Sequence, residues 1–575
     1  MALLRRPSRF AWRITLYSLA ALFVALLAIL ARITYQGLIV PRSVPARAAR
    51  TIPNTDVNPY GANFFLDREV ESWKRDRTLY MASQAGIGWV KQQFSWEEIE
   101  PKRKGEYLSP SKGDSWAKYD EIVAACEKYG LQIVARLDRP PDWARQDNVY
   151  QEAPPDDLDD YGDFVYAFVR HYEGRISYIQ IWNEPNIFPE WGNRPVDPAG
   201  YVRLLEVAYR RAKEANPNVH VLSAPLAITL GEPGDQQGTW RAMSDLQFLE
   251  EMYRAGAKGY FDIFSANAFG MERPPEDPPD PNVLNFQRVL LQRQIMERYG
   301  DQNTAVWFDE YGWNAAPESF PKSILAWQRV SEKQQAENTL HGIEMARRDW
   351  PWAGVFMIWY FRQVGSIPED QPSYYFRMVD TDFTPRLLYL AVQDAAHLEQ
   401  VAGPGLYQET NPGVRTYGSW RTVIDASASG GSFIRSDKPG DSITFAFRGT
   451  GIDLLTRQAS AAGTLLVWLD GHPVAGLATN GQGLSYVDLY SQLAQVPVRV
   501  PLVRRAALGD HTLRITVAAD RHPDSSGQEC VLNAFEVLQD STPLFPPYLV
   551  GGCAAGLALV GWLLWRTWRR VRWIV

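Results

Sequence analysis

At 575 residues the chain is too long for one ordinary hydrophobic core, so two or more domains are expected. Segments 1–50 and 541–575 hold twelve Arg and no acid, which leaves 47 basic against 66 acidic residues in 51–540, a balance of −19. A body this acidic argues against nucleic acid or anionic lipid as its partner, and three cysteines far apart (Cys126, Cys530, Cys553) argue against a disulfide framework or a thiolate metal site.

In chain order, 14–31 is a run of 18 residues without a charge, preceded by Arg5, Arg6, Arg9 and Arg13. It predicts a transmembrane helix behind a cytoplasmic tail at 1–13. A cleaved signal peptide is the alternative, although Ala46-Arg47-Ala48 lies far downstream for a cleavage site. Residues 32–55, bearing Pro and Arg, read as a linker. From Asp56 a unit repeats: helix, glycine, strand. Eight candidate strands fall at 57–64, 86–93, 131–138, 176–184, 218–225, 261–269, 304–312 and 353–361. Helices are expected at 115–129, 157–172, 198–215, 282–299 and 323–348, the first with Ser115 as N-cap and Gly130 just past its end. This alternation predicts parallel βαβ units over 56–400, closed as a (β/α)8 TIM barrel. An open doubly wound sheet is the alternative, weakened because no GxGxxG or Walker sequence follows the first strand.

Such barrels carry their chemistry at the C-terminal strand ends. Those ends here are polar: Lys91, Gln92 and Gln93 on strand two, Arg136 and Asp138 on three, Asn183 and Glu184 on four, Asn267 on six, Glu310 on seven, Trp359 and Tyr360 on eight. The fourth strand stops at Trp182-Asn183-Glu184-Pro185, because proline ends the ladder and restricts the residue before it. The seventh ends in Glu310. Two glutamates at strand ends are the parts for glycoside cleavage: one donates a proton, the other attacks or activates water. A raised pKa for the donor needs apolar walls and a second carboxylate nearby. Trp182, Trp191 and Trp313 are candidates for those walls, with barrel packing as the other reading. None of the seven His (171, 220, 341, 397, 472, 511, 522) closes a strand, which argues against a Ser-His-Asp triad and a His-bound metal. Asp156, Asp157, Asp159 and Asp160 could hold calcium, but acids at a helix start suit the helix dipole without one. No cofactor and no metal are expected.

WNEP on the fourth strand and a glutamate closing the seventh resemble the retaining glycoside hydrolases of clan A, which include cellulases, xylanases and β-xylosidases. The style is closest to families 5 and 39, over roughly 56–400. The resemblance implies Glu184 as acid/base and Glu310 as nucleophile. It implies Asn183 at the sugar 2-hydroxyl and Trp359 as the floor of the cleavage subsite. Lys91, Arg136, Asn267, Trp191 and Trp313 complete the expected substrate-binding set. Many members carry His-x-Tyr on the sixth strand, the Tyr bonding the nucleophile. Here the strand reads Asn267-Ala268-Phe269, so another residue must hold Glu310.

After His397 the pattern changes to short alternating strands between Gly turns, such as DSITFAFRG, TLLVWLDG and HTLRITVAA. They predict an all-β jelly-roll sandwich over 405–540, resembling the galactose-binding-like modules attached to many glycosidases; a bracing role is favoured over sugar binding. Residues 548–565 are a second uncharged run, flanked by Trp562, Trp565, Trp568 and Trp573 with Arg566, Arg569, Arg570 and Arg572. That is a second transmembrane helix with a cytoplasmic tail at 566–575. The chain therefore reads as a membrane-anchored, extracytoplasmic glycosidase cleaving β-linked oligo- or polysaccharide with retention, both termini cytoplasmic. Its partners are the saccharide and the lipid bilayer, with no nucleic acid. Two alternatives are a catalytically silent polysaccharide-binding envelope protein and an exopolysaccharide assembly factor.

Overall fold

Eight strands form the barrel: β1 (Tyr60–Phe64), β2 (Trp89–Ser95), β3 (Gln132–Asp138), β4 (Tyr178–Ile181), β5 (His220–Leu222), β6 (Ile263–Phe269), β7 (Ala305–Gly312) and β8 (Ala353–Ile358). They pair in parallel and close in the order β1-β8-β7-β6-β5-β4-β3-β2, so the doubly wound alternative falls. The computed structural model describes residues 9–39, 49–110, 113–146, 149–234, 240–325, 327–364, 369–397, 401–539 and 547–572.

Helix boundaries follow local chemistry. The acidic start at Asp157 is a helix cap: its side chain accepts from the Asp159 N–H ahead of the helix Leu158–His171. Asp156 pairs with Arg194 at 2.6 Å. Asp197 likewise caps Pro198–Ala215. Ser115 is not the cap expected of it. Its hydroxyl donates to the Ile99 carbonyl at 2.5 Å, and the helix begins uncapped at Ala117. Gly130, at φ +67°, does end that helix, since only glycine takes this conformation without strain. Two expected helices are shorter. Of 282–299 only Val289–Arg298 is α-helical, because Asn285 and the buried Arg288 donate to the carbonyls of Pro278 and Pro281 and fold the start into a loop. Of 323–348 the helix begins at Glu332, where Ser331 and Gln334 make a capping box.

The barrel interior is layered. At the N-terminal end Trp89, Tyr178 and Trp307 pack edge to face and stacked over Val134, Leu222, Ile263, Val355 and Met357. Segment 50–58, expected to be partly linker, seals this end. Trp307 Nε1 donates to Asn54 O at 2.8 Å, Trp89 Nε1 to Asn58 O at 2.9 Å, and the Arg50 guanidinium to Ala353 O at 2.7 Å. The charged layer lies above, toward the C-terminal ends.

The β-region is built on two antiparallel sheets face to face, beside a third of Arg421–Ile424, Ser432–Ser436 and Cys530–Leu532. One runs through Ser442–Gly449, Gly509–Val517 and Thr464–Leu469, the other through Gln495–Val503, Gly451–Gln458 and Ala534–Leu538. Phe445 and Phe535 stack between them, centroids 5.0 Å apart. This sandwich docks on the sealed end of the barrel, opposite the polar strand ends. Asp56 accepts from Gln408 N–H and Asn411 Nδ2, both at 2.9 Å, and Pro53 lies against Gly431.

Beside this joint lies Glu409, 5% exposed, with Ser432 Oγ donating to one carboxylate oxygen and no partner on the other. Burial pushes its pKa up to about 8, and the Asp56 charge adds to this. A carboxyl raised in the folded state lends stability only while protonated, so that contribution is lost as pH rises through about 8. Glu409→Gln should therefore gain up to about 4 kcal/mol over wild type at alkaline pH and nothing at acid pH. Thermal melts across that range test it; equal gains at both ends would contradict it.

Helices Arg9–Ile39 and Pro547–Arg572 each contain a stretch long and apolar enough to cross a membrane. They pack side by side, Gly556 against Leu26 and Gly561 against Phe23.

Candidate active site

Glu184 sits just past β4 on strained backbone. Trp182 has φ +75° and Glu184 φ +35°, conformations that non-glycine residues hold only when their surroundings impose them. Those surroundings are visible. The Gln180 amide donates to Trp182 O at 2.9 Å, and the Glu184 N–H donates to Pro225 O at 3.1 Å. Asn186, fully buried, donates to Ala227 O and Met243 O and accepts from Ala227 N–H. The motif's second asparagine thus rivets the loop to the neighbouring strand end.

Glu310 reaches the cavity by a different device. Strict alternation along β7 would send Asp309 and Glu310 to opposite faces. However, Phe308 and Tyr311 both pack outward: both rings meet Phe286, and the Tyr311 hydroxyl donates to Thr339 O in the helix layer. The register shifts against both neighbouring strands here, between Ala266 and Asn267 on β6 and between Phe356 and Ile358 on β8. The bulge turns both acids inward.

Lys91 meets them there. It lies mid-strand, because β2 runs on to Ser95, and is 3% exposed. Its ammonium is ion-paired with Asp309 and lies 3.6 Å from Glu310 Oε1. The residue expected to bind sugar is thus a buried cation shared by two acids. Phe269 packs against Trp327 and Phe376. Asn267, in register with Glu310, donates to Glu184 Oε1 at 2.6 Å and so orients the other carboxyl. Arg136 pairs with Asp138 at 2.8 Å, and Gln93 donates to the same acid at 2.7 Å.

The two glutamates have different electrostatic surroundings. Burial, then the nearby Glu310 charge, pushes Glu184 well above the ordinary carboxylate range, and its hydrogen-bond partner is only an amide. Burial also raises Glu310, but Lys91 and Arg136 oppose it. A shared proton therefore belongs on Glu184 and the negative charge on Glu310.

Other expected residues divide. Asn183 is 6% exposed and its Oδ1 is buried without a partner, as is Trp359 Nε1. Asn183 adjoins Glu184 in the chain, and Trp359 follows β8, its backbone N–H donating to Tyr311 O just past Glu310. Trp313 and Trp191 are packing residues. Trp313 is 1% exposed, donates to Arg273 O, and lies so close on Gly270 that a Cβ there would sit 1.9 Å from its ring. Trp191 sits edge-on to Trp182 and Tyr201. Two acids escaped the sequence reading. Asp309 was legible only as the neighbour of Glu310 on an apolar strand. Glu190, six residues past Glu184, gave no signal apart from its charge.

No sequence family model matches the chain, and no curated protein matches it in sequence. Solved structures with a similar course include a family 39 glycoside hydrolase from Bacteroides cellulosilyticus WH2 (17% identity, 83% of each chain, TM-score 0.44). A monomeric β-xylosidase from Caulobacter crescentus CB15 is another (12%, 83% of this chain and 99% of that one, 0.43). A third is a family 39 enzyme from Xanthomonas axonopodis pv. citri (13%, 83% and 99%, 0.43). Likeness at this level leaves the chemistry to be read from the site's own residues.

Proposed function

We propose that the chain is a retaining glycoside hydrolase acting on a β-linked oligo- or polysaccharide. One observation carries this: two carboxyls are linked at the strand ends through Asn267, Glu310 beside the Lys91 ammonium and Glu184 beside only the Asn267 amide. In the first step Glu310 attacks the anomeric carbon while Glu184 passes its proton to the departing glycosidic oxygen. In the second Glu184, now a base, takes a proton from water, which displaces Glu310 and restores both groups. Retention needs carboxyls about 5–5.5 Å apart. Asn267, in register with Glu310 and donating to Glu184 Oε1, stands between the two carboxyls and supports such an approach. Incubating the full-length protein with a panel of β-linked saccharides, beside Glu310→Gln, tests the reading. Release of new reducing ends by wild type alone is expected; saccharide binding without turnover by either would contradict it.

The same reading places the body outside the cell and both tails inside. Arg570 lies over the Trp12 ring at 5.4 Å, so the two basic ends share one side, as in–out–in topology requires. The sandwich, docked on the sealed end of the barrel through Asp56, acts as a brace. Reporter fusions should be cytoplasmic at both termini, and external protease should cut the body. A terminus labelled from outside would overturn the topology.

A further inference from the structure

The bulge that turns Glu310 inward breaks the ladder on both sides of β7. Asp309 and Glu310 stand between Phe308 and Tyr311, whereas β8 has only Met357 between the partners Phe356 and Ile358. Toward β6 Asp309 is passed over, Ala266 pairing with Phe308 and Asn267 with Glu310. An extra residue of this kind disrupts the local pairing, and plain alternation would return one of the two acids to the helix layer.

Asn63 spans that break. It stands one residue before the end of β1, is 3% exposed, and lies beside Lys91 in the register of β1 with β2. Since β8 lies between β1 and β7, its side chain reaches across β8 to the bulge. The amide donates to Asp309 O at 3.0 Å and to Met357 O at 3.3 Å. Those carbonyls belong to the residues on the two sides of the mismatch. A side-chain amide has two N–H donors, so both are committed to backbone and neither is left for a sugar.

Asn63 is itself anchored. Its carbonyl accepts from Phe361 N–H at 3.0 Å, and Phe64 stacks on Phe361 with centroids 4.9 Å apart. Asn63 thus holds the backbone of the bulge, while Lys91 meets the two carboxylates that the bulge presents. An apolar side chain at 63 would leave two buried carbonyls without this donor, and a slip of β7 toward regular pairing would relieve them.

We propose that Asn63 is a positioning residue: by bridging the bulge it fixes where Glu310 meets the anomeric carbon. This rests on the glycosidase reading above.

The test uses full-length protein in detergent. Asn63→Leu keeps the volume and removes both donors, and Asn63→Ser keeps one donor on a shorter arm. In Asn63→Leu kcat/KM should fall about 10²-fold, the cost of a reacting group displaced by about 1 Å. The loss should be equal on alkyl and 4-nitrophenyl β-glycosides of one sugar, because attack is impaired and proton donation is not. Asn63→Ser should lose less. Binding of the same glycosides in a Glu184→Gln background, where no turnover intervenes, should stay unchanged by Asn63→Leu. A crystal structure of Asn63→Leu should show the Glu310 carboxylate displaced from Lys91. Wild-type kcat/KM in Asn63→Leu, a loss confined to binding, or an unmoved Glu310 would each overturn the proposal. Thermal melts check folding; if neither variant folds, Asn63 is a folding residue and the proposal falls. Fluorosugar labelling of Glu310 in wild type judges the hydrolase reading separately, and the crystallographic position of Glu310 judges Asn63 without any turnover.

Discussion

Glu310→Ala should remove nearly all turnover on every substrate, whereas the loss from Glu184→Ala should depend on the leaving group. Without Glu310 no glycosyl-enzyme forms, and no other carboxylate is both ionised and aimed at the same point: Asp309 is committed to Lys91, and Glu184 holds the proton. Without Glu184, a sugar alcohol must leave as an alkoxide, costing about 10²–10⁴ in rate, the usual span of general acid catalysis. An activated aryloxide leaves unaided, so the first step stays fast and the intermediate accumulates for want of a base. Added azide should attack it without base help and yield a β-glycosyl azide. The pH profile should agree. The acid limb of kcat/KM belongs to ionisation of Glu310, and the alkaline limb, set by Glu184, should vanish in Glu184→Ala on activated substrates. A retained β-glycosyl azide from Glu310→Ala, with an inverted α-glycosyl azide from Glu184→Ala, would exchange the two roles.

Lys91→Met should be nearly as damaging, for two separable reasons. It leaves Asp309 buried and unpaired, and breaking a buried pair from one side costs about 3–5 kcal/mol. It also removes the cation that opposes the effects of burial and of Asp309 on Glu310, so the Glu310 pKa rises further. The nucleophile is active only when ionised, so the acid limb must move to higher pH. Adding Asp309→Asn separates the effects, because it removes the stranded charge. The double variant should recover much of the melting temperature, while its acid limb stays displaced by the loss of Lys91, though less than in the single variant. A Lys91→Met protein with wild-type melting and an unmoved acid limb would show that Lys91 neither supports the core nor tunes the nucleophile.

The barrel was legible because each strand is an apolar run with a polar end, and every one of the eight runs became a strand. The two glutamates were legible because a proline and a glycine punctuate the chain just after them. The bulge that turns Asp309 and Glu310 to one face was not: period-two reading assigns them opposite faces, and only the outward packing of both Phe308 and Tyr311 reveals the extra residue. Lys91 looked like a strand-end sugar ligand because the polar run 91–93 suggests an end at Gln93, whereas β2 runs on to Ser95. Trp191 and Trp313 could not be recognised as packing residues, since packing and stacking use the same residue type and only neighbours separate them. The helix starts at 289 and 332 were hidden because Arg288 and Ser331 act through bonds to backbone groups that no periodicity records.

The central claim is that Glu310 makes the covalent bond. Intact protein incubated with a panel of 2-deoxy-2-fluoro-glycosides bearing an activated leaving group, then digested and mapped by mass spectrometry, addresses it directly. Fluorine slows both steps, and the good leaving group restores only the first, so the intermediate is trapped. The account predicts one sugar per chain on the peptide carrying Glu310, and none in Glu310→Gln. A label on Glu184, Glu190 or Asp309, or hydrolysis of the natural saccharide with inversion at the anomeric carbon, would contradict it.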